Sequence, residues 1–238
     1  MLRNLTYFVS DTHLGLNVND PARREERFVN FLRGIPAQSA QAVYLLGDIF
    51  DFWYEWKRVV PKGYVRVFAA IMDLVDAGVQ VYFIPGNHDI WAYGYFQQLG
   101  MKILPQPSFV QIGTKTFCIA HGDALGKMKK GYKLMNSIFT CRFLQKCFNT
   151  IHPDLSMAFG LNWSKGNRLA KGEKYEWKGE EEPLRKYALE VLQDRKVDYF
   201  IFGHLHVAHR ETLPGGATLV MLDSWIREDN CFVFDSSL

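Results

Sequence analysis

Phe83-Ile84-Pro85-Gly86-Asn87-His88-Asp89 closes an apolar, β-rich run with three consecutive side chains that can bind a metal or move a proton. The spacing predicts a buried strand over 79–84, so these groups fall where a strand stops. In open α/β sheets, ligands collect at the carboxyl ends of strands, and a Pro-Gly pair there turns the chain so that Asn87 and His88 face a common crevice. Taken alone, the stretch fits an ordinary turn equally well, with Asn87 bonding its own backbone and His88 in solvent. Its meaning depends on what the other strand ends carry.

Four of them carry the same chemistry. Leu5-Thr6-Tyr7-Phe8-Val9 reads as a buried strand that runs into Ser10-Asp11-Thr12-His13, and Asp11 and His13 point the same way if the backbone stays extended. Ala42-Val43-Tyr44-Leu45-Leu46 leads into Gly47-Asp48-Ile49-Phe50-Asp51, where glycine permits close backbone approach beside a terminal carboxylate. A run over 115–120, the second arm of a hairpin that begins at 108, ends in His121-Gly122-Asp123. A run over 197–202 ends in Gly203-His204-Leu205-His206. A lone Asp-x-His is more often a turn beside an exposed imidazole. Seven such side chains, Asp11, His13, Asp48, Asn87, His121, His204 and His206, each just beyond an apolar run, are not explained by seven independent turns.

Carboxylate, imidazole and amide ligands together suit divalent first-row metals. Seven are too many for one tetrahedral ion and the right number for two ions sharing one carboxylate. Two ions roughly 3.5–4 Å apart clamp the attacking and leaving oxygens of a phosphoryl displacement and supply a hydroxide at neutral pH. Metal-assisted phosphoester hydrolysis is therefore the function read from the residues themselves.

The ordered set Asp-x-His, Gly-Asp-x-x-Asp, Gly-Asn-His-Asp, His-Gly-Asp and Gly-His-x-His, running from Asp11 to His206, resembles the calcineurin-like metallophosphoesterase superfamily. The resemblance implies an α/β/β/α sandwich of two mixed sheets flanked by helices, with a dinuclear site at the strand ends. It implies one metal held by Asp11, His13 and His206, the other by Asn87, His121 and His204, with Asp48 bridging. It further implies that His88 stabilises the transition state or protonates the leaving group, that Asp89 orients His88, and that Asp51 and Asp123 fix the ligands from outside. Manganese is the expected ion, with iron and zinc compatible with the same set.

Within the superfamily the chain is similar to the UDP-2,3-diacylglucosamine hydrolase family of lipid A biosynthesis. The residues that carry this are Gly47 to Trp53, Gly131-Tyr132 after the His-Gly-Asp motif, and Asn162-Trp163-Ser164-Lys165. The substrate implied is a nucleotide-linked acylated sugar, and Tyr132, Ser164, Lys165 and Asn167 are the implied head-group contacts. The best-known branch of that family has Arg after the motif Asn, where this chain has His88. Other readings are a phosphodiesterase, phosphatase or nuclease of different substrate, or a scaffold that keeps the fold without catalysis. Phe52-Trp53 stands where protein phosphatases of the superfamily have Arg-Gly.

The 238 residues suffice for one large α/β domain or a domain with an insertion, and their 48% hydrophobic content supports a sizeable core. Strand-helix alternation stops over 125–182, which reads as a helical insertion, leaving 1–124 and 183–238 as the core. Helices are expected over 21–33, 64–76, 91–99 and 181–196, and a closing meander over 208–234. No apolar run approaches the ~20 residues of a spanning helix, and the N-terminus enters a strand without room for a signal peptide, so a cytoplasmic location is expected. The four cysteines, with no CxxC pair, read as reduced and mostly buried. Phe52, Trp53, Tyr54 and Trp56 read as packing more than as a substrate platform.

The net charge of +3 is unevenly placed: residues 124–178 hold 11 Lys and Arg against 3 Asp and Glu, and the rest is acidic. Over 132–151, Leu134, Ile138, Cys141, Leu144, Phe148 and Ile151 recur at helical spacing, broadened by Met135, Phe139, Phe143 and Cys147. Lys127, Lys129, Lys130, Lys133, Arg142 and Lys146 surround them. That pattern points to a lid in peripheral contact with an anionic membrane surface, and its interleaved apolar residues favour lipid over nucleic acid.

Overall fold

The computed structural model describes residues 3–126, 130–171 and 175–238, except for the side chains of 130 and 166–171. The strands are β1 (Leu5–Val9), β2 (Ala40–Leu45), β3 (Gln80–Phe83), β4 (Lys102–Ile103), β5 (Ser108–Ile112), β6 (Lys115–Ala120), β7 (Tyr199–Phe202), β8 (His209–Thr212), β9 (Thr218–Met221) and β10 (Phe232–Asp235). The helices are α1 (Pro21–Gly34), α2 (Val65–Asp76), α3 (Tyr95–Gln98), α4 (Lys130–Thr140), α5 (Arg142–Phe148), α6 (Pro153–Lys171) and α7 (Pro183–Asp194), with a 3₁₀ turn at Gly179–Glu181. They build two five-stranded sheets, ordered β10-β1-β2-β3-β4 and β5-β6-β7-β9-β8.

Side-chain alternation on the strands makes the layers. Phe8, Tyr44 and Ile84 of the first sheet meet Phe117, Ile119 and Ile201 of the second in the core between the sheets. The opposite faces, with Tyr7, Val9 and Val43 on one sheet and Cys118, Ala120 and Phe200 on the other, are covered by α1 and α2 and by α7. This is the expected α/β/β/α sandwich. The strands β1 to β4 are parallel, as are β6, β7 and β9, so five ligand-bearing ends emerge at one rim. Antiparallel strands stand at three of the sheet edges.

Four expectations are corrected. The tail does not close as a meander: β8 and β9 form a hairpin, but β10 crosses to the other sheet and pairs antiparallel with β1. The helix expected over 91–99 shrinks to Tyr95–Gln98, because Trp91 bridges to Tyr54 and the Glu55 carboxylate accepts from the backbone N–H groups of Tyr93, Gly94 and Tyr95. The apolar run over 132–151 is two helices broken at extended Cys141, where the Phe139 carbonyl accepts instead from Gln145 Nε2 and Trp91 Nε1. Strand β4 had no signal in the sequence, being two residues long. All four cysteines are free, but only Cys118 is buried.

Phe52, Tyr54, Trp56 and Trp91 pack with Phe139, Phe148, Met157 and Leu161, so the aromatic group is the bed on which the helices after β6 rest. Among the described residues, no helix is long and apolar enough to cross a membrane.

Candidate metal centre

The backbone continues to pair beyond the strands and so fixes the loops that carry the polar side chains. Asp11 N–H donates to Gly47 O, His13 N–H to Asp48 O, Leu14 N–H to Ile49 O, and Gly203 N–H to His121 O. Trp225, buried against Phe28 and Phe31, donates its backbone N–H to Asp11 O. Five of the seven candidate ligands, Asp11, His13, Asp48, His204 and His206, have φ between 45° and 68°. Non-glycine residues seldom adopt that region, and it is held here by the surrounding bonds.

Three glycines give the room. A Cβ on Gly47 would lie 2.6 Å from Gly86 N and 2.8 Å from His121 Cγ; one on Gly86 would lie 2.6 Å from Asp48 N; one on Gly203 would strike Ser10 and Asp11. Each of these motif glycines is thus a close approach between loops of different strands.

The result is a buried polar cluster. Asp11, His13 and His206 bring ligand atoms together, as do Asp48, His121 and His204. His206 Nε2 is 3.1 Å from Asp11 Oδ1 and 3.0 Å from His13 Nε2. Asp48 Oδ2 lies between the groups, 3.3 Å from His121 Nε2 and 3.9 Å from His13 Nε2. His121 Nδ1 bonds Leu46 O at 2.9 Å, which aims its Nε2 inward. Asp11 Oδ2 accepts from Ser10 Oγ and His204 N–H, leaving Oδ1 toward the site.

Charge sharpens the arrangement. Burial opposes ionisation of Asp11, but the imidazoles of His206, His121 and His13 around it hold it well below the usual carboxylate range. Burial likewise opposes ionisation of Asp48, and His121 and His88 reverse it. Burial lowers His121, yet Asp48 and Asp11 keep it well above the ordinary imidazole value, while burial and the charge on His121 push His204 down to about 4. A proton on His121 thus occupies ground that the carboxylates prepare for a cation. Asp11 Oδ1, Asn87 Oδ1 and His121 Nε2 are buried and make no hydrogen bond. Buried polar atoms are rarely left so. Divalent ions fit this donor set.

The outer groups depart from expectation in two places. His88 Nδ1 bonds the Asp51 carbonyl at 2.7 Å, so that carbonyl orients the ring. Asp89 has no bond to it. Its fully buried carboxylate instead accepts four backbone N–H groups, from Asp48 and Gly86 on Oδ1 and from Ile49 and Phe50 on Oδ2. Burial and the neighbouring Asp48 push the Asp89 carboxyl up to about 7, against the pull of those amides. Asp89 is therefore a brace between the second and third motifs.

Asp123 accepts from Gln106 Nε2 and Tyr132 OH, each at 2.7 Å, and Gln106 Oε1 accepts from the backbone of His121 and Gly122. Gln106 is a member of the site that sequence reasoning missed, since nothing near it carries a motif. Tyr132 is thereby engaged by Asp123, and Ser164, fully buried, donates to Asp51. Lys165 is exposed, and the side chain of Asn167 lies outside the described residues.

Comparison with known proteins gives the family. The calcineurin-like phosphoesterase family matches residues 5–208. The chain is 32% identical to a UDP-2,3-diacylglucosamine hydrolase of Porphyromonas gingivalis, over 99% of this chain and 96% of that protein. Enzymes of the same name from Neisseria gonorrhoeae and Enterobacter sp. are 31% and 30% identical, over 92% and 94% of this chain and 89% and 92% of their own lengths. A dimetal phosphatase from Danio rerio superposes over 98% of this chain and 92% of its own, with a TM-score of 0.49 at 14% identity. With its two-sheet sandwich and its polar cluster at the strand ends, the chain belongs to the calcineurin-like phosphoesterase family and is a metal-dependent hydrolase.

Proposed function

We propose that the protein hydrolyses the pyrophosphate of UDP-2,3-diacylglucosamine, giving 2,3-diacylglucosamine 1-phosphate (lipid X) and UMP, in lipid A biosynthesis. What carries the substrate is the similarity over nearly the whole chain to enzymes of that name. Asp11, His13 and His206 would hold one divalent ion and Asn87, His121 and His204 the other, with Asp48 available to both. Divalent ions bound there would supply a hydroxide at neutral pH and stabilise the charge of a phosphoryl displacement. Manganese is the ion proposed.

The side chains around them do the rest. His88, part-exposed at the mouth with its Nδ1 tied to Asp51, presents Nε2 to the leaving oxygen as proton donor. Asp51 and Asp123 fix ligand orientation. By resemblance to that family, Tyr132, Lys165 and Asn167 are the proposed contacts for the sugar head group, whereas Ser164, implied by the same resemblance, is fully buried and donates to Asp51.

Residues 125–182 act as a lid resting on the cytoplasmic face of the membrane. Support comes from Leu134, Phe143, Leu155 and Phe159, which are 61–71% exposed while their neighbours Phe139 and Phe148 pack inward, and from exposed Lys133, Arg142 and Lys146 among them. Lys127 and Lys129 of the same pattern, and the side chain of Lys130, lie outside the described residues.

The test is an assay of the purified protein on UDP-2,3-diacylglucosamine and on bis-p-nitrophenyl phosphate with manganese, iron or zinc. Release of UMP with a strong preference for the lipid substrate is expected. Turnover of the small diester alone would point to another phosphoester, and no turnover of either with any metal would reject a hydrolase.

A further inference from the structure

One face of α6, outside the five motifs, reaches the surroundings of the metal centre. Ser156, Gly160 and Ser164 follow one another at i, i+4 spacing on α6, and all three are buried. At Gly160 an added Cβ would lie 2.5 Å from Phe52 Cγ, so the helix is pressed directly onto the ring beside Asp51. One turn further on, the fully buried Ser164 Oγ donates to Asp51 Oδ1 at 2.9 Å. That same oxygen is 3.3 Å from His13 Nδ1. Trp163, next to Ser164, brings its ring to 6.1 Å from that of His88, whose Nδ1 is held by the Asp51 carbonyl.

We propose that Ser164 is a positioning residue for the metal centre: its hydroxyl fixes the Asp51 carboxylate, which holds His13 with Nδ1 protonated and Nε2 free for the ion shared with Asp11 and His206. The docking of α6 and the affinity of that ion are then coupled. A carboxylate can rotate about its own bond, and one that must accept an imidazole N–H in a defined direction needs a second donor to fix it. The Ser164 hydroxyl is one such donor, and its proton is directed to Asp51 inside the protein. Partners of this outer kind select the tautomer of a ligating histidine and raise its basicity. The helix is thereby more than a cover, because lifting it removes a hydrogen bond two steps from an ion. This proposal rests on the reading of the cluster as a metal site, and it assigns Ser164 a role other than head-group contact.

The experiment is calorimetric titration of metal-free protein with Mn²⁺ alone, for wild type, Ser164→Ala, Asp51→Asn, the double variant and Lys165→Ala. Outer-shell changes cost roughly 10–100-fold in metal affinity, and the more remote Ser164→Ala should weaken one of the two binding steps by about tenfold. The other step should not move. Asp51→Asn should weaken the same step further, and the double variant should be no weaker than Asp51→Asn, since the hydroxyl acts only through the carboxylate. Lys165→Ala should bind Mn²⁺ like wild type. If Ser164→Ala folds poorly, Ser164→Cys, of similar shape with a weak donor, carries the same expectation. Wild-type affinity at both steps in Ser164→Ala or Ser164→Cys overturns the proposal, and so does a raised KM for the lipid substrate with metal binding unchanged. Failure of the wild type itself to bind Mn²⁺ would remove the metal centre, a different and separately visible result.

Discussion

Gly86 packs against Asp48 so closely that a methyl group on its α-carbon would lie 2.6 Å from the Asp48 backbone nitrogen. The obstacle is backbone, which cannot swing aside as a flexible side chain could. Gly86→Ala should therefore displace Asp48 from between the two ligand groups. Turnover of the small diester should fall by about 100-fold or more, as misplacement by ~1 Å does, together with a loss of bound metal seen by elemental analysis. Wild-type rates would mean that the loops separate without consequence for the site.

Asp48 and His88 should fail differently. Asp48 is the side chain proposed to bridge the two ions, so Asp48→Ala should abolish turnover and lower metal content while the circular dichroism spectrum stays unchanged. His88→Ala should keep its metals and lose about 10²–10⁴-fold in kcat, the range of a positioned acid or base. Residual activity above a few per cent in Asp48→Ala, or lost metal in His88→Ala, would overturn these roles.

Four amide donors converge on the buried Asp89 carboxylate. In Asp89→Asn one of the two acceptor positions becomes an NH₂ group facing backbone N–H. With about 1–3 kcal/mol for each unsatisfied donor, a loss of roughly 3 kcal/mol is expected. Thermal denaturation should then show a midpoint about 6–12 °C lower. A variant as stable as wild type but slow in turnover would instead fit an orienting role for Asp89 beside His88.

Metal affinity should rise with pH. The carboxylates of Asp48 and Asp11 raise His121 against the lowering effect of burial, so its proton stabilises the metal-free fold fully below the ordinary imidazole value. That contribution disappears as pH rises through the raised value. An ion must displace this proton, so Mn²⁺ binding should weaken as pH falls below it, by up to ~10-fold per pH unit for each proton released. Titrations at several pH values with proton-release measurements check this, and pH-independent affinity would contradict it.

Reversal of Lys133, Arg142 and Lys146 to glutamate tests the lid as a membrane device. Each basic residue near an anionic surface contributes about 1 kcal/mol, so sedimentation with phosphatidylglycerol-containing liposomes should be lost. Hydrolysis of the lipid substrate should fall while that of bis-p-nitrophenyl phosphate persists. Equal loss of both activities, or no liposome binding by the wild type, would contradict the membrane role.

The sequence by itself determined the strands, their polar ends and the chemistry, because each of the five motifs is local: a buried run, a glycine, and a ligand within a few residues. The strand-end positions of Asp11, His13, Asp48, Asn87, His121, His204 and His206 were legible for that reason, whereas the two-sheet core was implied only by the family resemblance, since Phe117-Cys118-Ile119-Ala120 is apolar throughout and does not say which side chain faces which layer. Only the tertiary structure decided what those residues lean on. Gln106 reaches His121 across 15 residues, Trp225 reaches Asp11 across the chain, Ser164 reaches Asp51 across 113, and β10 chooses the sheet opposite its sequence neighbours. Asp89 looks like the partner of its neighbour His88 but faces the other way, onto the amides of the preceding motif. Such contacts depend on how loops from different strands approach one another, and neither local propensity nor periodicity records that distance.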